Sequence, residues 1–310
     1  MMKVKNNIII LVSIITLLFL QACIQQSVQQ MSFILSTNNF TSQSSNNSVD
    51  LRPLMTPVKF QGQRGTCNAF AATALMEFLI KAKTSQNIDL SEAYNYWAGK
   101  KYTLDSDFLR KSYEHSDGLA GFMAVKAYKF GSMLEKEWPY EPRNWLQTNN
   151  SGCKIINNEP CTECFAGTPP AGAKLLPYRI EPIFIERTKI AGFILTNKKP
   201  VVFNLLWCSD AVNDNTGDFR MPTEQDLKNS AGHVITFVGY DSVTKRFIFK
   251  NSFGLQWGNK GYGTVPEEYV IKYCEICPYL SSVNTYTPEE KEFVLTASMG
   301  VSGNLTEMNP

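Results

Sequence analysis

The pattern of the chain changes abruptly at Thr66, and that change constrains the fold more than any other feature. Before it, Thr56-Pro-Val-Lys-Phe-Gln-Gly-Gln-Arg-Gly65 carries two glycines and no period, as a loop does. After it, Phe70, Ala74, Leu75, Phe78, Leu79 and Ala82 recur at helical spacing, so an amphipathic helix begins near Thr66 and buries one face. Cys67 therefore falls in the first helical turn, where the macrodipole and the N–H groups favour a thiolate. Taken alone, Cys67 fits a small buried hydrophobe better, as free cysteines often are. Its company changes the reading. Gln61, on the loop entering the helix, can place an amide N–H₂ beside the helix start, and with the Cys67 backbone N–H it would form an oxyanion hole.

A thiolate nucleophile needs a base, and the chain has only two histidines. His115, in Tyr113-Glu-His-Ser-Asp-Gly118, sits in a polar loop and reads as a surface residue. His233 precedes Val234–Tyr240, which reads as a strand, and Arg246–Lys250 reads as a second strand after a polar turn at Asp241–Lys245. Folding the two runs into an antiparallel hairpin sets His233 nearly opposite Asn251, with Cα atoms of such neighbours ~4.5 to 5.5 Å apart. One ring nitrogen would then meet the Asn251 side-chain carbonyl and the other would face Cys67. The plainer alternative is a structural histidine on a strand and an asparagine in a turn.

These segments resemble the papain-like cysteine peptidases. The stretch Thr56 to Ala71 is similar to the family's active-site helix entry in Thr-Pro-Val-Lys59, Gln61-Gly62, Gly65, Cys67 and Ala69-Phe70. Ala231 to Asp241 resembles the histidine strand, and Lys250 to Gly263 the asparagine segment, with Trp257, Gly258, Gly261 and Tyr262 on matching positions. The resemblance implies peptide-bond hydrolysis by an endopeptidase through a Cys67 acyl-enzyme, with His233 as base, Asn251 as its orienter, Gln61 in the oxyanion hole, and neither metal nor cofactor. Leu90-Ser-Glu92 resembles the start of the second helix. Asp117-Gly118 resembles the segment that binds the substrate backbone, which makes Gly118 a candidate substrate contact, and Trp138-Pro-Tyr-Glu141 resembles a tyrosine-proline crossing. Three positions depart from the pattern. Arg64 stands at a disulfide cysteine, which removes a bridge and leaves the chemistry alone. Asn68 replaces a tryptophan, which loosens the packing beside the nucleophile, and Phe253 replaces the tryptophan that covers the Asn/His contact.

The order of helical patterns first and strands later gives an α+β fold in two lobes, a papain-like arrangement with the active site in the cleft between them. The expected bounds are a helical lobe at about 51–145, an insert at about 144–180 that matches nothing in the family, a β-rich lobe at about 180–280 and a C-terminal extension at 281–310.

Upstream of the domain, Lys3 and Lys5 precede an apolar run, Ile8 to Leu20, that is too short to span a bilayer at ~20 residues per helix. This reads as a signal segment over 1–22. It ends in Leu20-Gln-Ala-Cys23, which resembles the lipobox of bacterial lipoproteins and implies acyl chains on Cys23 and a membrane anchor. A plain secretory signal is the alternative. Ile24, where inner-membrane lipoproteins commonly carry aspartate, implies the outer membrane or cell surface. Residues 23–50, rich in Gln, Ser, Asn and Thr, read as a polar tether, too short and polar for the inhibitory prosegment of the family. Restraint of activity then rests on export or on the unmatched segments.

Removing Lys3 and Lys5 from a formal charge of +2 leaves about zero, so no nucleic-acid partner is implied, and a monomer acting on peptide or protein substrates is expected. Eight cysteines are present. With Cys23 and Cys67 set aside, Cys153, Cys161, Cys164, Cys208, Cys274 and Cys277 can form up to three bridges in an oxidising compartment. A zinc site on the pairs Cys161/Cys164 and Cys274/Cys277 is the rival. Two further readings of the whole stay open: a non-catalytic surface-binding module, and a transferase or deamidase using the same triad.

Overall fold

In the computed structural model, which describes residues 48–148, 150 and 152–273, the chain enters on a short strand, β1 (Val49–Asp50). Residues 49–50, read above as the end of a tether, thus belong to the folded domain. The signal segment, Cys23, Cys274, Cys277 and the extension at 281–310 lie outside the described residues.

Four helices follow: α1 (Cys67–Thr84), α2 (Glu92–Tyr102), α3 (Asp107–Tyr113) and α4 (Gly121–Ala127). Helix α1 starts where the periodicity begins and stops at Ser85, which adopts a left-handed conformation with φ 61°. It is buried along nearly all of its first fourteen residues rather than on one face, including Asn68, Thr73 and Glu77. The reason is its position, packed between a sheet on one side and α2 and α4 on the other. Ser91 starts α2 as read from the sequence, its Oγ accepting the Tyr94 N–H at 3.0 Å. Leu75, Met76, Ile80 and Leu90 pack with Ala124 and Tyr128 to form the core of this helical region.

Strand β2 (Ser132–Met133) of the helical region pairs with β5 (Leu175–Leu176) of the insert, whose other short pieces are β3 (Ile155–Ile156), paired with β4 (Glu159–Pro160), and α5 (Thr162–Ala166). Phe165 anchors it in the helical region with Ala69, Tyr96, Leu109 and Leu119.

After α6 (Ile190–Asn197) come the long strands: β6 (Val201–Cys208), β7 (Val212–Asn213), β8 (Asp218–Phe219), then helix α7 (Glu224–Lys228), β9 (Ser230–Asp241), β10 (Arg246–Lys250), β11 (Tyr262–Pro266) and helix α8 (Glu267–Lys272). The central strand is β9. On one edge it pairs with β6 over 230–237 and with β1 beyond, and on the other with β10. Leu205, Ile235, Phe237, Phe247, Phe249, Val265 and Tyr269 form the sheet core. The two-lobed α+β reading therefore holds, and the seam between the lobes is where α1 meets β9, at Cys67, Ala71 and Val234. Among the described residues no helix is long and apolar enough to cross a membrane.

Candidate active site

Cys67 is the first residue of α1, and its sulfur lies against β9: the Val234 backbone N–H donates to Cys67 Sγ at 3.4 Å. One turn further on, Thr236 Oγ1 donates to the Ala71 carbonyl at 2.9 Å, so the start of α1 is tied to the strand at two points. Gly65 makes the entry tight. Its N–H donates to Asp117 Oδ2 at 2.9 Å, and a Cβ there would stand 1.9 Å from the Asp117 carbonyl oxygen, so only glycine lets the loop pass.

His233 precedes Val234 on β9, and its Nε2 lies 2.8 Å from Asn251 Oδ1. The same oxygen accepts the Ser252 backbone N–H at 2.8 Å, which fixes the orientation of the asparagine amide. An oxygen can only accept, so Nε2 carries the proton, and in the neutral ring the lone pair is on Nδ1. The sequence reading set the two residues opposite each other. An unbroken ladder from the turn would set Asn251 opposite Thr236; the bulge between Ile248 and Phe249 gives that place to Lys250 and brings Asn251 one residue nearer, and the contact to His233 runs diagonally along the ladder.

Burial drives the His233 pKa down to about 4, and the Asn251 hydrogen bond opposes only part of that. Two aromatic rings do the enclosing. Trp207 meets the imidazole edge-on with centroids 4.7 Å apart, and Phe253 lies over it at 4.8 Å. Phe253 thus keeps the cover expected of the aromatic at its position. Trp207 was not singled out from the sequence; it sits on β6 opposite Ala231, and only the strand register brings it to the ring.

Gln61 is buried and pinned from both ends of its amide. Nε2 donates to the Arg64 carbonyl at 2.8 Å and Oε1 accepts from Ser252 Oγ at 2.5 Å, while the Gln61 N–H donates to the Ser252 carbonyl at 2.9 Å. The Arg64 carbonyl takes one of the two amide hydrogens, which leaves the second for another acceptor. Ser252, next to Asn251, is a second residue the sequence reading missed; it links Asn251 to Gln61.

The two departures beside the nucleophile are now explained. Arg64 is buried, donates to the Glu141 carbonyl at 3.1 Å and to the Phe165 carbonyl, and its guanidinium lies 5.7 and 5.6 Å from the Tyr96 and Tyr140 rings. It ties the loop before α1 to the segments at Glu141 and Phe165. Asn68 is fully buried and donates to the Gly65 carbonyl at 3.0 Å, so the expected loosening is replaced by a polar clasp at the helix start. Gly118 lies half-buried beside Asp117, its N–H donating to Ser116 Oγ at 3.1 Å. His115 is exposed, as read, and far from this chemistry in role: its ring contacts the Pro160 carbonyl and Glu159.

Beneath the site runs a buried polar web that periodicity could not reveal. Lys59 Nζ reaches Glu77, Asp89 and Glu92 at 3.2, 2.7 and 2.8 Å, and Lys250 Nζ donates to the Thr56 and Pro57 carbonyls at 2.9 and 3.0 Å. Burial lowers the Lys250 pKa to about 8. Burial acts on Lys59 in the same sense, but Glu92, Glu77 and Asp89 outweigh it and raise its pKa. The web joins the end of β10, which Asn251 follows, the loop that carries Gln61 and the helix that carries Cys67.

Of the cysteines read as bridge candidates, Cys153 and Cys164 are bonded. Cys161 and Cys208 are thiols, which corrects their reading as bridge candidates. Cys208 ends β6 inside the sheet core, where burial pushes its thiol up. Among the described residues no cluster of His, Cys, Asp and Glu could hold a metal ion.

The family described as papain family cysteine protease matches residues 45–96 and 177–283, just over half of the chain. Gamete and mating-type specific protein A of Dictyostelium discoideum is 28% identical over 221 residues, covering 69% of this chain and 41% of its own length. A viral cathepsin of the Choristoneura fumiferana nuclear polyhedrosis virus is 27% identical over 224 residues, covering 72% and 58%. The chain thus spans about half the length of these curated relatives. Among solved structures, xylellain, a cysteine protease from Xylella fastidiosa, aligns with a TM-score of 0.56 and 23% identity over 76% of this chain and 88% of that one, a likeness of fold.

Proposed function

The chain belongs to the papain family of cysteine proteases, and on that premise we propose that it hydrolyses peptide bonds by covalent catalysis at Cys67. The observation that carries the reading is the joint placement of His233: Asn251 holds its Nε2 at 2.8 Å, and the next residue's N–H touches the Cys67 sulfur. Neutral His233 takes the thiol proton on Nδ1, and the thiolate attacks the scissile carbonyl carbon. The oxyanion is met by the Cys67 N–H, which faces out of the helix N-terminus, and by the second Gln61 amide hydrogen. Collapse breaks the C–N bond as the imidazolium protonates the leaving amine. A water then deprotonated by His233 hydrolyses the thioester and restores the thiol. Asn251 keeps the ring in the tautomer both half-reactions use. Residues near Gly118 border the nucleophile loop through Asp117 and Gly65, which supports a role for this segment in holding an extended substrate backbone.

The cellular setting belongs to the same proposal. The segment Leu20-Gln-Ala-Cys23 supports lipidation at Cys23 and an envelope-anchored monomer facing outward from a bacterial membrane. Incubation with a peptide library followed by mass spectrometry tests the activity. Cleaved backbones support hydrolysis; unchanged peptides point to a binding module, and mass shifts without cleavage to transfer or deamidation. Radiolabelled palmitate incorporation that disappears in Cys23→Ala tests the anchor, and equal labelling of the variant overturns it.

A further inference from the structure

The insert is the part of the described chain that peptide hydrolysis leaves unused, and it gathers three sulfurs within one hairpin and one helical turn. The hairpin β3/β4 turns at Asn157 and Asn158, both with positive φ of 53° and 64°, the conformation that closes a two-residue hairpin. Cys153 lies at the foot of one arm and Cys161 at the foot of the other, where the Cys161 N–H donates to the Lys154 carbonyl at 3.0 Å. Cys153 is bonded to Cys164, and the Cys161 sulfur stands 3.8 Å from the Cys164 sulfur. The Lys154 N–H donates to Cys161 Sγ at 3.2 Å, which holds the thiol against the bridge. Access differs along the trio: Cys153 is exposed, Cys161 half-buried and Cys164 fully buried. Solution therefore reaches the Cys153 end, while the Cys164 sulfur is reached from within, by Cys161.

We propose that Cys153, Cys161 and Cys164 form a thiol–disulfide exchange site that accepts small disulfides at Cys153. Cys161 gives its proton to solvent and its sulfur attacks Cys164 Sγ; the Cys161–Cys164 bond forms as the Cys153–Cys164 bond breaks, and Cys153 leaves as a thiolate. Two thiols' worth of electrons are neither gained nor lost, so this step consumes no oxidant. The exposed Cys153 thiolate then attacks a low-molecular-weight disulfide, forming a mixed disulfide on Cys153 and releasing the other half as a thiol. Cys164 is bridged in both isomers. Its neighbour Phe165, whose carbonyl accepts from Arg64 and whose ring packs on Trp145 at 4.8 Å, therefore keeps its anchor while the arm at residues 152–154 is released.

The test uses the full chain, incubated at pH 8 with glutathione disulfide, quenched in acid, alkylated and mapped by mass spectrometry. Cleavage after Lys154 and after Glu163 places the three cysteines on three peptides. The proposal expects a Cys161–Cys164 bridge in the same molecules that carry glutathione on Cys153, and at least a tenfold loss of that adduct in Cys161→Ser. Cys153→Ser is expected to form the Cys161–Cys164 bridge alone, which also reports that the sulfurs can meet without the native bond. Three results would overturn it: the Cys153–Cys164 bridge intact with Cys161 fully alkylated, glutathione attached to Cys161 beside that intact bridge, or Cys161 bonded to a cysteine outside the insert.

Discussion

Burying the neutral His233 ring ties acid stability to it, and the size of the effect follows from its pKa. The ring titrates at about 4 in the folded protein and at about 6.5 when solvated. Between those values the unfolded chain binds a proton that the folded chain does not, so stability falls as pH falls through the window. Above pH 6.5 the contribution is complete; below about 4 both states are protonated and the loss stops. A gap of roughly 2.5 units at 1.36 kcal/mol per unit makes the total about 3 kcal/mol, with a steepest slope of about 1.4 kcal/mol per pH unit. Urea unfolding of Cys67→Ala and of Cys67→Ala/His233→Gln from pH 7.5 to 3.5 measures it. The Cys67 change removes self-cleavage and the thiol, and the difference between the two proteins cancels every other carboxylate that titrates in the range. The stability advantage of the His233 protein is expected to shrink by about 3 kcal/mol on acidification. A flat difference, or an advantage that grows as pH falls, would refute the reasoning, because it would mean that the site favours the imidazolium.

Other consequences are more local. Gln61→Ala is expected to lower kcat about 10²- to 10³-fold with KM little changed, since it removes a donor used only when the oxyanion forms; steady-state kinetics on a fluorogenic peptide reads both constants. Phe253→Ala opens one face of the imidazole, so the acid limb of kcat/KM should move up toward 6.5, whereas Phe253→Trp should leave it near the parent value. Gly65→Ala must push its Cβ away from a backbone oxygen 1.9 Å distant, and thermal melting should show a loss of at least about 1–3 kcal/mol.

The sequence announced the parts of this site that lie at changes of pattern. The start of α1 is such a change, which is why Cys67 could be placed in a first turn before its surroundings were known. The hairpin of β9 and β10 was legible from two apolar runs around a polar turn, and Asp241 does cap that turn through the Val243 and Thr244 N–H groups at 2.9 and 3.4 Å. What escaped is what periodicity does not encode. The bulge after Ile248 shifts the ladder by one residue, and Gly239 beside it serves equally for the close approach of the Val49 carbonyl, so the glycine alone does not announce a bulge. Trp207 reaches His233 only through the pairing of β6 with β9, a contact between strands more than twenty residues apart. Lys59, Glu77 and Lys250 carry charges of a kind that usually seeks solvent, yet each has partners inside, and a buried ion pair leaves no trace in an apolar pattern. The insert was opaque because a bridge and the Phe165 anchor hold it, not a repeating apolar face.

If one sulfur carries the chemistry, a peptidyl epoxide labels that sulfur and stops the enzyme. One equivalent of label is expected, mapped to Cys67, with peptide cleavage lost in proportion to labelling and absent from Cys67→Ala. Undiminished cleavage by Cys67→Ala, or loss of activity with the label on another residue, would contradict it.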